Sequence, residues 1–122
     1  MSRKRVEQVK IPLRLPGMNE YVKACRTNKY EAAKLKAHYE SCIAYFLRPV
    51  RPFEHPVEID FHWVEPNSRR DLDNIAAGKK FVLDAMVKCG LLRDDNRRHV
   101  TAFRDTFGIG KEPGVELTIR ET

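Results

Sequence analysis

The chain has 122 residues, 42% of them hydrophobic and 33% charged, with 23 Lys+Arg against 17 Asp+Glu and a net charge of +6. That is the length of one domain burying roughly two-thirds of its unfolded surface, and the composition excludes a disordered chain. The longest apolar run, Cys42 to Leu47, is too short to span a bilayer, and Met1 to Leu15 lacks the continuous apolar stretch of a signal peptide, so a cytosolic (cytoplasmic) protein with no membrane partner is expected.

The basic excess sits mainly in residues 1–60, which carry +5 of it, and it raises the odds of a nucleic-acid partner. Cys25, Cys42 and Cys89 are an odd number with no Cys-x-x-Cys pair, which argues against a disulfide framework or a structural zinc site. His38 and Cys42 have ligand spacing on a helix, but no second pair completes a tetrahedron.

In chain order, Val9, Ile11, Leu13 and Leu15 alternate with Lys10, Pro12 and Arg14, which predicts a strand. Pro12 makes it an edge strand or a locally irregular one. Pro16-Gly17-Met18-Asn19 ends it, and a loop is expected to about Thr27. Asn28 and Glu31 have the form of a capping box, with Thr27 as the alternative cap. Ala32, Leu35, Tyr39, Ile43 and Phe46 then repeat at helical spacing until Pro49, and Pro49, Pro52 and Pro56 make a stiff linker.

Val57, Ile59, Phe61 and Trp63 alternate with Glu58, Asp60 and His62 in the clearest strand, where Trp63 and His62 read as packing and sheet-face residues. A second helix is expected from about Asp73 to Cys89, burying Ile75, Val82, Met86 and Cys89 and stopping at Gly90. Two strands follow, about His99 to Phe107 and Val115 to Arg120, with Gly108, Gly110, Pro113 and Gly114 turning between them. The order β-α-β-α-β-β predicts a single α+β domain over 1–122. It consists of a four-stranded mixed or antiparallel sheet with both helices packed on one face.

Two acidic motifs flanked by arginines stand out: Arg69-Arg70-Asp71-Leu72-Asp73-Asn74 and Arg93-Asp94-Asp95-Asn96-Arg97-Arg98. Two carboxylates ~4 Å apart repel by roughly 4 kcal/mol at an effective dielectric near 20. If the fold joins the motifs, a divalent cation is the simplest partner to hold them, and arginines beside it can hold phosphates. The bland alternative is that Asp73 is an N-cap and Asp71 a solvated loop residue. At about 100° per residue, Asp73, Lys80 and Asp84 share one helix stripe, with Lys79 well away from it. Lys80 would then face charge developing on a phosphate. The plain reading of the stripe is a solvated face with an Asp84–Lys88 pair. Gly78 marks a bulge or a close contact, and a bulge would bring Lys79 round in place of Lys80.

Asp71-Leu72-Asp73-Asn74, a lysine ahead of Phe81, Leu83-Asp84-Ala85-Met86, Gly90 and Asp94-Asp95 resemble the RusA-type Holliday junction resolvases, small and mostly phage-borne endodeoxyribonucleases. Leu15-Pro16 with Asn19 and Tyr21 is similar to that family's early proline–asparagine segment. The resemblance implies that Asp71, Asp73 and Asp95, with Asp94 beside them, bind Mg²⁺ (or Mn²⁺), and that Lys80 is the catalytic lysine. The stretch from Asp73 to Asp84 is longer than in the enterobacterial form. Counted back from Asp84 the family's lysine falls on Lys80; counted forward from Asp73 it falls on Ala77.

The resemblance also implies a homodimer that cuts opposed strands of a four-way DNA junction in recombination and repair. A two-fold protein matches a two-fold substrate. Arg69, Arg70, Arg97 and Arg98 are candidates for binding the flanking phosphates of the DNA. Two rivals remain: a catalytically idle DNA-binding module with structural acids, and a similar nuclease acting on RNA or unbranched DNA.

Overall fold

Period-two alternation of apolar residues builds a sheet with one dry face. In the computed structural model, which describes residues 4–122, β1 (Val6–Ile11), β2 (Val57–Glu65), β3 (Val100–Ile109) and β4 (Gly114–Glu121) form a four-stranded sheet in the order β1-β4-β2-β3. The start of the stretch considered as a signal peptide, Met1–Arg3, lies outside the described residues. The sheet is mixed: β4 runs antiparallel to both β1 and β2, while β2 and β3 are parallel. Parallel neighbours need a crossover, and the chain from 66 to 99 supplies it through two short helices, α3 (Leu72–Ala76) and α4 (Lys79–Lys88).

Along β2, Val57, Ile59, Phe61, Trp63 and Glu65 are buried, while the residues between them are half-exposed. Val9 and Ile11 of β1 and Val115, Leu117 and Ile119 of β4 extend that buried face. Helices cover it, contributing Ile43, Leu47, Ile75, Phe81, Val82 and Met86 to the same core. The other face is polar. There Arg120 binds Asp60 with two 2.8 Å hydrogen bonds, and His62 meets Thr106 at 2.7 Å.

The α+β class, the mixed sheet and the one-sided helical layer agree with the sequence pattern, but four details differ. First, the segment expected as a loop is a helix, α1 (Met18–Thr27), which fully buries none of its residues and packs through half-buried Tyr21, Val22 and Ala24. Second, the first strand lies nearer the N-terminus than expected and stops at Ile11, just before Pro12. It is an edge strand, as a proline beside a sheet requires. Third, the second expected helix is divided at Gly78, and fourth, Cys89, expected in its buried stripe, is exposed.

The remaining helix, α2 (Lys29–Leu47), is capped by Asn28, whose side chain accepts from the Glu31 backbone N–H at 2.8 Å. Thr27 donates its hydroxyl back to Lys23 within α1. Gly90, at φ +81°, ends α4 in the left-handed region that favours glycine. Among the described residues, no helix is long and apolar enough to cross a membrane.

Candidate active site

Glu65, at the end of β2, fixes the entry to the first acidic motif. Its buried carboxylate accepts from Arg14 at 3.1 and 2.9 Å and lies 3.7 Å from Arg70. The hydrogen bond to Glu65 raises the Arg14 pKa, against a smaller opposing effect of burial. Arg70 also donates to the Leu15 carbonyl at 3.0 Å and pairs with Glu20 of α1. Its side chain is only 13% exposed, so this arginine ties the segment after β1, the end of β2 and α1 together rather than presenting a charge to a ligand. Arg69, Arg97 and Arg98 are exposed and form no ion pair among the described residues.

After that anchor the chain enters α3 with Asp71 as N-cap residue, in extended backbone geometry and with no capping bond from its side chain. The capping role considered for Asp73 does not apply, because Asp73 lies in the first turn of α3. Among the described residues, its Oδ1 accepts only from the neighbouring Asn74 N–H, at 2.9 Å. Both carboxylates are exposed. Asn74 turns the other way: its Oδ1 accepts from the Asn19 N–H at 3.0 Å, which makes it a cap for α1 supplied from a distant part of the chain. Gly17, the N-cap residue of α1, lies so close that an added Cβ would stand 2.7 Å from the same Asn74 oxygen.

Gly78 carries no bulge. Its backbone is α-helical, and the Gly78, Lys80 and Phe81 N–H groups bond three residues back, so the turn tightens rather than widens. The reason is packing: a Cβ at Gly78 would stand 3.2 Å from both Leu15 Cβ and the Trp63 ring. The tightened turn sends the two lysines apart. Lys79 reaches Asp105 of β3 at 2.7 Å and lies over the rings of Phe61 and Phe103, at 5.2 and 4.7 Å from their centroids. Asp105 also accepts the Trp63 indole N–H at 2.9 Å. Lys79 is therefore a packed structural cation.

Lys80 is 69% exposed and lies 3.2 Å from Asp84 Oδ1 and 3.9 Å from Asp95 Oδ2. It thus brings the second acidic motif to the helical segment that continues the first. Asp94 is exposed and shapes its own loop, accepting from the Asp95 N–H at 2.7 Å and from the Asn96 amide at 3.2 Å.

Asp84 does not pair with Lys88, as the plain reading of the stripe expected; Lys88 binds Glu40 of α2 instead. The second oxygen of Asp84 faces Lys36 of α2 at 3.0 Å. Hydrogen bonding to Asp84 raises the Lys36 pKa, with burial acting in the opposite sense and Glu40 adding to the rise. Lys36 escaped the sequence reading because its partner lies in another helix. Its only local signal is a four-residue spacing to Glu40, which is common on any helix surface.

Exposed carboxylates with few hydrogen bonds are suitable donors for a hard divalent cation. Among the described residues, no three His, Cys, Asp or Glu side chains stand close enough to hold a metal ion as they are. No protein-family model and no curated protein matches the chain.

Proposed function

We propose that this protein is a metal-dependent endodeoxyribonuclease of the RusA type that resolves four-way DNA junctions as a homodimer. The observation that carries the reading is the position of Lys80, exposed and within 3.9 Å of Asp95, one turn beyond the helix that bears Asp73. A lysine spent on packing would look like Lys79. Lys80 has the access that a group acting on a DNA phosphate needs.

In this reading Asp71, Asp73 and Asp95, with Asp94 adjacent, hold Mg²⁺ or Mn²⁺, which supplies an activated water and charge neutralisation at phosphorus. Lys80 stabilises negative charge on the phosphate oxygens as the phosphodiester bond breaks. Asp84 orients the Lys80 amino group through their ion pair at 3.2 Å while Lys36 faces the other carboxylate oxygen. Arg69, Arg97 and Arg98 bind flanking phosphates, which gives affinity without base choice. Arg70 positions the Asp71 loop.

The test is incubation with a synthetic four-way junction and a linear duplex of the same sequence, with Mg²⁺ or EDTA. Paired cuts confined to the junction and lost in EDTA are expected. Cutting of the duplex or of RNA would assign a different nuclease, and no cutting with tight junction binding would assign the idle module. Asp73→Asn is expected to abolish cleavage while junction binding persists or tightens, because a phosphate-repelling charge is gone.

A further inference from the structure

We propose that the cleft between α1, α2 and the α3–α4 turn is a nucleotide subsite that takes up one unstacked base of the bound DNA next to the cleavage site. This rests on the nuclease reading above and adds a ligand contact to it. Gly17, Met18, Tyr21, Ala77 and Phe81 give the cleft an almost wholly apolar lining, and Lys36 and Lys80 complete it. Its volume is about 140 Å³. An apolar cavity of roughly 150 Å³ holds one benzene ring, so the space suits the ring edge of a base and is too small for a peptide helix.

The walls are preset. Tyr21 packs edge-on against Phe81 with centroids 5.6 Å apart, and Tyr39 supports Phe81 from behind at 6.0 Å. Met18, by contrast, is 48% exposed, an apolar side chain left beside an apolar cleft with nothing covering it.

Charge complements the shape. Lys36 is held between Asp84 and Glu40, whereas Lys80, paired with the same Asp84, stays 69% exposed beside the cleft. Lys80 also reaches toward Asp95. A nucleotide joins an anionic phosphate to a flat aromatic base a sugar's length away, and here an exposed lysine ammonium adjoins an aromatic-lined slot. Removing a base from its stack costs least where stacking is already interrupted, as at a branch point. The proposed substrate therefore carries the base that this cleft accepts most readily.

The experiment places 2-aminopurine, which brightens when unstacked, at successive positions around the branch of a junction, and titrates each with the protein in Ca²⁺. Fluorescence is expected to rise severalfold at one position on each of two opposed strands. Ala77→Leu, which fills the cleft, and Met18→Glu, which sets a carboxylate at its edge, are each expected to remove that rise while the complex still forms. Met18 is the first residue of α1, where negative charge favours the helix, so the second variant folds even if the first does not. Complex formation with no brightening at any position overturns this inference and leaves the nuclease reading intact. Brightening that survives in both variants also overturns it. Failure to bind any DNA overturns the nuclease reading and this inference together.

Discussion

Lys79 and Lys80 adjoin in sequence, yet their surroundings assign them different work. Lys79 is 19% exposed and neutralises Asp105 above two aromatic rings, so Lys79→Met should cost about 1.5 kcal/mol by stripping a charge-assisted hydrogen bond from a half-buried carboxylate. Urea denaturation measures this, and junction cleavage in the folded variant should survive. Lys80→Met should do the reverse. At 69% exposure its loss should move stability by less than about 0.5 kcal/mol, while cleavage falls on the order of a hundredfold or more. A destabilised but active Lys80→Met would exchange the two roles. Asn74, beside the candidate metal-binding carboxylates, makes a similar point. Its side chain caps α1, so Asn74→Ala should lower the stability of the fold by about 1 kcal/mol in the same denaturation assay. The last residue of the Asp-x-Asp-Asn motif thus supports the helix that forms one wall of the cleft.

At the scale of elements, Gly78 shows how a local rule and a tertiary contact can oppose each other. Helix propensity alone favours Gly78→Ala by about 1 kcal/mol. The added methyl would press on Leu15 and Trp63 at 3.2 Å, and both are buried core residues with little room to move. Overpacking costs typically 1–3 kcal/mol, so the net effect should be destabilising by about 1 kcal/mol, read as a lowered urea midpoint with an unchanged slope. A stabilised variant would mean that Leu15, and Trp63 of β2, pack more loosely on the α3–α4 turn than the distances state. The glycine was legible as a bulge or a close contact, and it is the contact; its partners were not legible, because Leu15 and Trp63 are far from it in sequence. α1 was illegible for a related reason. Its apolar stripe of Met18, Tyr21, Val22 and Cys25 is short and at most half-buried, and the Pro16-Gly17 pair that reads as a chain break in fact delivers its N-cap. β2 and α2, which alternate or repeat toward the core at every turn, were legible almost to their ends.

For the molecule as a whole, the sequence carried the number of strands and the layer of helices but not the strand order. Pairing β3 parallel to β2 and inserting β4 between β1 and β2 depend on contacts between distant segments, to which one strand's alternation is blind. The same limit applies to the candidate site. Asp71, Asp73, Asp94, Asp95 and Lys80 could be picked out as residue types in a spacing, whereas the Asp84–Lys36 link and the burial of Arg70 arise only when helices meet. Long-range pairing also sets how the protein should respond to acid. On the open face of the sheet, Arg120 of β4 grips Asp60 of β2 through two hydrogen bonds, and that grip lowers the Asp60 pKa from its ordinary 3.8, against a smaller upward push from burial. A carboxylate depressed in the folded state contributes stability that is present above its unfolded value and lost as pH falls through the folded one. The unfolded chain then binds the proton first, so the slope lies in the acid range only. Lys36, raised by Asp84, acts at the opposite end: its contribution is complete below about 10.4 and lost as pH rises beyond the folded value. Thermal unfolding of the wild type should therefore show a melting temperature that drops between about pH 5 and pH 2 more steeply than that of Asp60→Asn. The two curves should approach each other at the acid end, where Asp60 is protonated and its pairing with Arg120 is weakened. A gap between them that stays constant across this range would mean that Arg120 holds Asp60 no more tightly in the folded sheet than solvent holds it in the unfolded chain.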